Sequence, residues 1–420
     1  MAEAAPKFGL HRNTISPLWK KRKISVETNT PMDLHPKYAG NTGPHNQPIL
    51  PQSILGIPVG LRTTYRDLGH ALQKSASTIH RHMKQGEIRP HSNPLKPGLT
   101  EANKRARLMY CISKIIPGTL QTNPTYIPME NIVHIDEKWF YLTRKNHHML
   151  LAPKEKNPHR TARSKNFIPK IMFMSAVMRP RWNQDGSCKN SGKLGIWPFS
   201  YQYVAKKNSV NRKRGTLETR PVESVNKPEF RKMMSKHVIP AIKANWPTDL
   251  PKIVHIQADN AKPHGGADIN EFIQNHGDHE WTFYWNPQPP NSPDLNILDL
   301  GFFRSIQSKY EKTMPKNIDK LIEEVKQAFE DLHPKTLSNV WMSLQYCMNE
   351  IMRCNGNCDY VQPHMKKKQL EDEGTLPWQV QPEVQVVQNA ITFLTNPENV
   401  MREAIIELAA VQEAAQAGEE

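Results

Sequence analysis

Two short apolar runs, each leading to an aspartate, are the clearest hydrophobic pattern in the chain. Residues 132–135 have the sequence IVHI and precede Asp136, and residues 253–256, again IVHI, lie shortly before Asp259. β-Branched runs of this length predict buried strands. Each carboxylate is therefore expected at the end of a strand, at the sheet edge, where it is held rigidly yet reaches solvent.

The residues between these two runs predict an α/β domain. The segments KIMFMSAVM, at 170–178, and GKLGIWPF predict further sheet next to the first strand, and residues 229–243 predict a helix before the second. An antiparallel opening, then a helix and the strand that carries Asp259, is the order expected of a ribonuclease H-like domain, which we place at residues 128–312.

The C-terminal third is predicted to be mainly helical. Apolar residues recur at the helical period over 321–332 and 340–352, which places a helical part at residues 313–376. Residues 377–420 are rich in Ala, Val and Glu and are expected to form a helical or disordered tail.

A helix-turn-helix is predicted between Thr64 and Gln85. The sequence TYRDLGHALQKSASTIHRHMKQ has the helical period with a break near Lys74. Short polar and basic side chains on the second helix can enter a major groove and contact base edges and phosphates. An ordinary helical hairpin with a solvated face is the alternative, and the domain is expected over residues 61–115. The candidate DNA-binding residues are Ser77, Thr78, His80, Arg81 and Lys84.

The N-terminal segment KFGLHRNTISPLWKKRK is similar to the turn and recognition helix of another such module. Nothing before it supplies the partner helices, and Pro17 would cost a helix interior about 3 kcal/mol. Residues 1–26 are therefore interpreted as a remnant, either 5′-truncated or broken, joined by a Pro-, Gly- and Asn-rich linker at 27–60. The basic tetrad is typical of nuclear localisation, of phosphate contact or of a solvated face. It consists of Lys20, Lys21, Arg22 and Lys23.

Charge and composition agree with a polyanionic partner. The formal net charge is +16, and residues 1–130 hold 18 Lys and Arg against 7 Asp and Glu. Solubility alone is the other explanation of this charge. The five cysteines suggest a reducing compartment, with Cys354, Cys358 and His364 as possible zinc ligands or, alternatively, as ordinary side chains. We expect a soluble, intracellular protein, because no apolar run approaches a membrane span.

A third acidic block, NSPDLNILDLGFF, suggests metal chemistry. Ser292 is expected to cap a helix with Pro293 in its first position, so that Asp299 lies two turns in. Crowded carboxylates repel one another unless a cation neutralises them, and hard oxygen ligands suit Mg²⁺. Two such ions about 4 Å apart can drive phosphoryl transfer.

The blocks HIDEKWFYL, QADNAKPH and NSPDLNILDLGFF resemble, in the same order, the catalytic motifs of mariner-type DNA transposases, most closely plant mariner-like elements. The resemblance covers roughly residues 60–376. In that family the third acid lies a few residues beyond the SPDL sequence. This selects Asp299, with 39 residues between it and Asp259, over Asp294, with 34 residues between. Asp294 would otherwise be a carboxylate in the first turn of a helix. The basic run AKKNSVNRKRG is similar to an insertion that joins protomers and contacts DNA, or it is an exposed loop.

The resemblance implies an α/β ribonuclease H-like catalytic domain, an N-terminal all-α helix-turn-helix region and a helical C-terminal extension. Asp136, Asp259 and Asp299 would be catalytic and would bind two Mg²⁺ ions, with Mn²⁺ as a substitute. The enzyme would act as a nuclear homodimer on double-stranded DNA, cleaving at terminal inverted repeats and inserting at TA. A non-catalytic, sequence-specific DNA-binding protein derived from a truncated or domesticated transposase is the alternative.

Overall fold

The computed structural model describes most of the chain, and no helix in that part is long and apolar enough to cross a membrane. The chain divides into two compact units, Met1–Leu95 and Lys96–Glu420. The described residues are 7–33, 48–91, 95–144, 150, 152, 154–156, 158–159, 161, 164, 166–210, 212–264, 268–362 and 365–396, without the side chain of Arg12.

The first unit is built from helices in its described part. Thr64 and Ser75 cap the third and fourth of them, because each hydroxyl accepts a hydrogen bond from a backbone N–H three residues on. The helices are α1 (Arg12–Glu27), α2 (Pro51–Leu55), α3 (Tyr65–Ala71) and α4 (Ala76–Lys84).

Helices α3 and α4 lie where the sequence predicts a helix-turn-helix. Leu68 and Ile79 are buried between them together with Ile49, and Ile54 and Ile57 pack against this small core. Ile49, Ile54 and Ile57 come from the segment predicted to be a linker, so the part of that segment after residue 48 contributes to the helix-turn-helix core.

Helix α1 continues through Pro17, where the sequence predicted a break. It runs for 16 residues, and the His11 side chain caps its start by accepting from the Asn13 N–H. A proline in the second turn removes one backbone hydrogen bond and bends a helix, but it does not stop the helix when the following residues form their own bonds.

The second unit is organised around a five-stranded mixed sheet in the order β5-β2-β1-β8-β9. Strands β1, β2 and β5 pair antiparallel, which is the opening that the sequence predicted. Strands β8 and β9 continue from β1 in parallel. The pairs β3-β4 and β6-β7 form two small sheets. The strands are β1 (Ile132–Tyr141), β2 (Lys170–Val177), β3 (Arg181–Trp182), β4 (Cys188–Asn190), β5 (Lys193–Pro198), β6 (Ser200–Val204), β7 (Leu217–Pro221), β8 (Ile253–Ala258) and β9 (Thr282–Pro287).

Helices cover both faces of this sheet. Ile132 packs in a core with Trp341 of the C-terminal helices, whereas the next residue, Val133, packs in a second core with Phe230. Successive strand residues point to opposite faces, so the sheet is buried on both sides. The helices are α5 (Glu101–Ser113), α6 (Lys227–Met233), α7 (Ile239–Asn245), α8 (Ile269–Gln274), α9 (Phe303–Tyr310), α10 (Ile318–Glu330), α11 (Pro334–Arg353), α12 (Lys367–Asp372) and α13 (Val384–Thr395).

One boundary differs from the sequence prediction. Helix α5 was expected in the DNA-binding domain at 61–115, but it belongs to the second unit, where Leu108 and Cys111 are buried in the core with α11. Helix α13 lies inside the segment expected to be a helical or disordered tail, and its Val387 is buried in the same core. Both helices carry apolar faces whose partners are distant in sequence, so periodicity alone does not assign them to a domain.

Candidate active site

Strand pairing brings the first two aspartates to the same level of the sheet. His134 of β1 pairs with Gln257 of β8 in parallel, and Asp136 and Asp259 each lie two residues further along. Asp259 follows the last residue of its strand, as predicted. Asp136 does not end its strand: β1 continues to Tyr141 because β2 pairs with it along its whole second half.

The third aspartate lies on a broken helical segment. A short 3₁₀ turn, Pro293–Leu295, ends at Asn296, which is extended, and a π-helical turn, Leu298–Phe302, follows. Asp299 is therefore in the first turn of the second piece, and the prediction of one helix capped by Ser292 was wrong. The break is stabilised locally, since Asn296 Oδ1 accepts from the Leu298 N–H at 3.0 Å.

Asn296 connects the first and third aspartates. Its Nδ2 donates to Asp136 Oδ2 at 2.7 Å and lies 3.5 Å from Asp299 Oδ2, and the residue is 2% exposed. The sequence analysis did not select Asn296. Its position inside the third acidic block is the one signal that pointed to it.

His264 connects the second aspartate to another carboxylate. Its Nδ1 lies 2.7 Å from Asp259 Oδ1 and its Nε2 lies 2.8 Å from Glu137 Oε1. The Ala261 N–H also donates to Asp259 Oδ1, at 3.0 Å. His264 and Glu137 belong to the first two acidic blocks, but the sequence analysis assigned no role to either residue.

The electrostatics of the three aspartates differ. Burial and the nearby Asp299, Glu137 and Asp259 raise the pKa of Asp136 well above its usual value. Burial also raises the pKa of Asp299, although the positive charge of Lys138 acts to lower it. Burial acts to raise the pKa of Asp259, but the hydrogen bonds from His264 and Ala261 outweigh this effect, so the pKa of Asp259 is lowered.

The pKa of His264 is raised, in contrast to that of Asp259. Burial acts to lower its pKa, but the hydrogen bonds to Asp259 and Glu137 and the attraction of both carboxylates raise the pKa of His264 to about 10. A positively charged imidazole can donate from both nitrogens, which is what two carboxylate partners require.

The donor chemistry of this cluster fits a divalent cation. Raised pKa values at Asp136 and Asp299 mean that their buried negative charges are not fully compensated, and carboxylate oxygens are ligands that Mg²⁺ prefers. In the described part of the chain, however, no three His, Cys, Asp or Glu side chains are arranged to hold a metal ion. A cation bound by Asp136 and Asp299 would have to displace the Asn296 amide, which donates to one and lies near the other.

Three solved structures similar to this chain are of the Mos1 transposase. A pre-cleavage Mos1 transpososome is 16% identical and covers 81% of this chain and 87% of that chain, with a TM-score of 0.51. The Mos1 transposase paired-end complex with the left transposon end is 15% identical (80% and 86% covered, TM-score 0.51), and the mariner Mos1 paired end complex with Mg is 16% identical (80% and 86% covered, TM-score 0.51).

The chain has the fold of the Mos1 transposase. This likeness supports the predicted α/β fold of a mixed sheet with flanking helices. No family model matches the chain, and no curated protein matches it.

The predicted DNA-binding residues lie on α4 of the first unit. Ser77, His80, Arg81 and Lys84 are exposed, whereas Thr78 is half-buried and its hydroxyl lies 2.9 Å from the capping Ser75 hydroxyl. The sequence prediction overlooked a pair on the opposite side of this helix. His82 is buried, and its Nδ1 lies 2.8 Å from Glu87 Oε2.

Three other candidate features lie elsewhere. The basic tetrad at residues 20–23 lies on α1, and three of its four side chains are exposed. The basic run at 206–214 connects β6 to β7, where Arg212 pairs with Glu218. Of the possible zinc ligands, Cys354 and Cys358 are free thiols, and His364 lies outside the described residues.

Proposed function

We propose that this protein is a DNA transposase of the mariner type, closest to the plant mariner-like elements. The observation that carries the proposal is that Asp136 interacts electrostatically with both Asp259 and Asp299. Asp136 and Asp259 each follow the paired residues His134 and Gln257 by two positions, and Asn296 connects Asp136 to Asp299. The Mos1 fold and the order of the three sequence blocks support it.

In this proposal Asp136, Asp259 and Asp299 hold two Mg²⁺ ions, for which Mn²⁺ can substitute. Asp136 and Asp259 would share an ion, and Asp299 would complete one ion's shell. When bound, such ions would supply the activation of water and of a freed 3′-hydroxyl and the stabilisation of the leaving oxygen in an in-line displacement. The protein's part is to hold the carboxylates at fixed positions: β1 and β8 set the first two by their register, and Asn296 sets the third.

The first unit is proposed to bind terminal inverted repeats through α4, with Arg81 and Lys84 at phosphates and Ser77, Thr78 and His80 at base edges. The protein would work as a homodimer in the nucleus and insert DNA at TA. Two of the similar structures are described as paired-end complexes of Mos1, which is why pairing of two DNA ends is included.

The proposal is tested by incubating the full chain with duplexes that carry the inverted repeats of its own element. Nicking and joining to a TA-containing plasmid are followed in Mg²⁺, Mn²⁺ or EDTA. Cleavage and joining that need the metal support the enzyme. Selective binding with no cleavage in either metal would instead support the non-catalytic DNA-binding alternative.

A further inference from the structure

A buried histidine lies between two carboxylates next to the candidate metal site. His264 is 2% exposed, and its ring packs against Phe230 with centroids 4.4 Å apart. Its two nitrogens contact Asp259 and Glu137 at 2.7 and 2.8 Å. The ring therefore has a single orientation, set by packing on its faces and by a polar partner at each nitrogen.

The two carboxylates belong to different parts of the sheet. Along β1, successive side chains point to opposite faces, so Asp136 and Glu137 lie on opposite sides. Glu137 is on the side of Val133 and Phe230, where His264 also packs. Asp259 follows the end of β8, where it interacts electrostatically with Asp136 while bonding His264.

The bonds to Asp259 are not shared equally between its oxygens. Oδ1 lies 2.7 Å from His264 Nδ1 and accepts from the Ala261 N–H at 3.0 Å. His264 Nδ1 also lies 3.3 Å from the Asp259 backbone carbonyl oxygen. Among the hydrogen bonds of the described residues, none reaches Oδ2. One oxygen is thus fixed by two donors, and the other is left for a different partner.

We propose that His264 is a positioning residue of the metal site: supported by Glu137, it fixes one oxygen of Asp259 and leaves the other as a cation ligand. This inference rests on the proposed function and adds to it a residue pair outside the three acids. Glu137 acts through the histidine and is not itself a ligand. Partners that orient a ligating side chain commonly change metal affinity by 10–100-fold when they are replaced.

The two histidine bonds can be removed one at a time. In His264→Asn the amide nitrogen takes the place of Nδ1 and keeps the bond to Asp259, whereas in His264→Gln it takes the place of Nε2 and keeps the bond to Glu137. Glu137→Gln removes the negative charge next to the His264 ring and keeps a side chain of the same size. His276→Asn is the matched control, because His276 is also a hydrogen-bonded histidine of the second unit but its partners are Ser235 and the Phe272 carbonyl.

The measurement is Mn²⁺ binding to the full chain, followed by the electron paramagnetic resonance signal of free Mn²⁺, with circular dichroism as a check of folding. We expect His264→Gln and Glu137→Gln to weaken Mn²⁺ binding by about tenfold or more. His264→Asn should retain more affinity than His264→Gln, and His276→Asn should bind as the wild type does.

Wild-type affinity in both His264→Gln and Glu137→Gln would overturn the inference. If His264→Gln does not fold, Glu137→Gln decides alone. The variant Asp136→Asn shows whether a negative result concerns only the role of His264 or the proposed function as well. Loss of Mn²⁺ binding in Asp136→Asn, with normal binding in the two Gln variants, overturns only the role of His264, whereas normal binding in Asp136→Asn removes the metal site itself.

Discussion

Arg107 and Asp294 form a bidentate salt bridge in which Nη1 and Nη2 each lie 2.7 Å from a carboxylate oxygen. The arginine is fully buried on α5, and its Nε donates to the Gly356 carbonyl at 2.8 Å. Tyr360 Oη donates to the same aspartate at 2.5 Å. Both oxygens of Asp294 are thus used in holding the turn that precedes Asp299, which assigns a structural role to Asp294.

Asp294→Asn is expected to destabilise the protein by about 3–5 kcal/mol, because removing one partner of a buried pair leaves an uncompensated charge. Chemical denaturation with urea measures the change in the free energy of unfolding. Asp299→Asn, made as the control, should not lower stability. The opposite result, a stable Asp294→Asn and an unstable Asp299→Asn, would contradict this division of roles.

Replacing any one acid should abolish DNA cleavage. Asp136→Asn, Asp259→Asn and Asp299→Asn each remove a proposed metal ligand, so cleavage should fall by more than about 100-fold, beyond the cost of losing a supporting residue. Binding to inverted-repeat duplexes, measured by gel shift, should stay near the wild-type level. Activity that survives Asp299→Asn but disappears in Asp294→Asn would show that the register of the third acid is wrong.

Asp136→Asn should also stabilise the metal-free protein at neutral pH. Folding raises the pKa of the Asp136 carboxyl group. Such a group stabilises the folded state at pH values below the pKa of the unfolded chain, and this stabilisation is lost as the pH rises through the pKa of the folded state. Removing the carboxyl group should therefore, near pH 7.5, raise Tm in EDTA by about 1–2 °C, as about 1 kcal/mol does in a unit that runs from Lys96 to Glu420. Added Mn²⁺ should raise the Tm of the wild type but not of the variant, and differential scanning calorimetry tests both effects. A lower Tm for the variant in EDTA would refute the argument.

Residues on α4 should affect DNA binding in two ways. Arg81→Ala and Lys84→Ala should weaken binding to all duplexes and reduce the slope of log K against log salt by about one each. Thr78→Ala or His80→Ala should reduce the preference for the inverted repeat over scrambled DNA. Fluorescence anisotropy at several salt concentrations distinguishes the two effects. Arg66→Ala, at an exposed arginine of α3, controls for a general loss of charge. If all four α4 variants bind as the wild type does, recognition lies elsewhere.

The sequence was sufficient to predict four strands of the central sheet and several of the longer helices. The β-branched runs before Asp136 and Asp259 marked two adjacent strands, because a strand buried on both faces requires a continuous apolar run. The end of β1 was not visible in this way. Residues 137–141 mix polar and aromatic side chains, and their strand conformation depends on pairing with β2, which is distant in sequence.

The candidate site was predictable in its acids but not in the residues that hold them. The three aspartates were found through their sequence blocks, whereas the roles of His264, Asn296 and Arg107 depend on contacts between segments up to 249 residues apart. His264 and Asn296 lie inside these blocks, but no spacing within a block shows which partner each will meet. The break at Asn296 was missed for a related reason, since Ser292 and Pro293 alone are typical of a continuous helix.

Helix α5 has a practical consequence for dissecting the protein. Besides Arg107 it carries Tyr110, whose Oη donates to Gln257 Oε1 at 2.5 Å, while Gln257 Nε2 donates to the Leu295 carbonyl at 2.9 Å. One helix thus supports both the strand of the second acid and the segment of the third. A recombinant catalytic fragment that starts at residue 128, where the sequence alone would place the boundary, lacks this helix, so a fragment intended for crystallisation or assay should begin at or before Lys96.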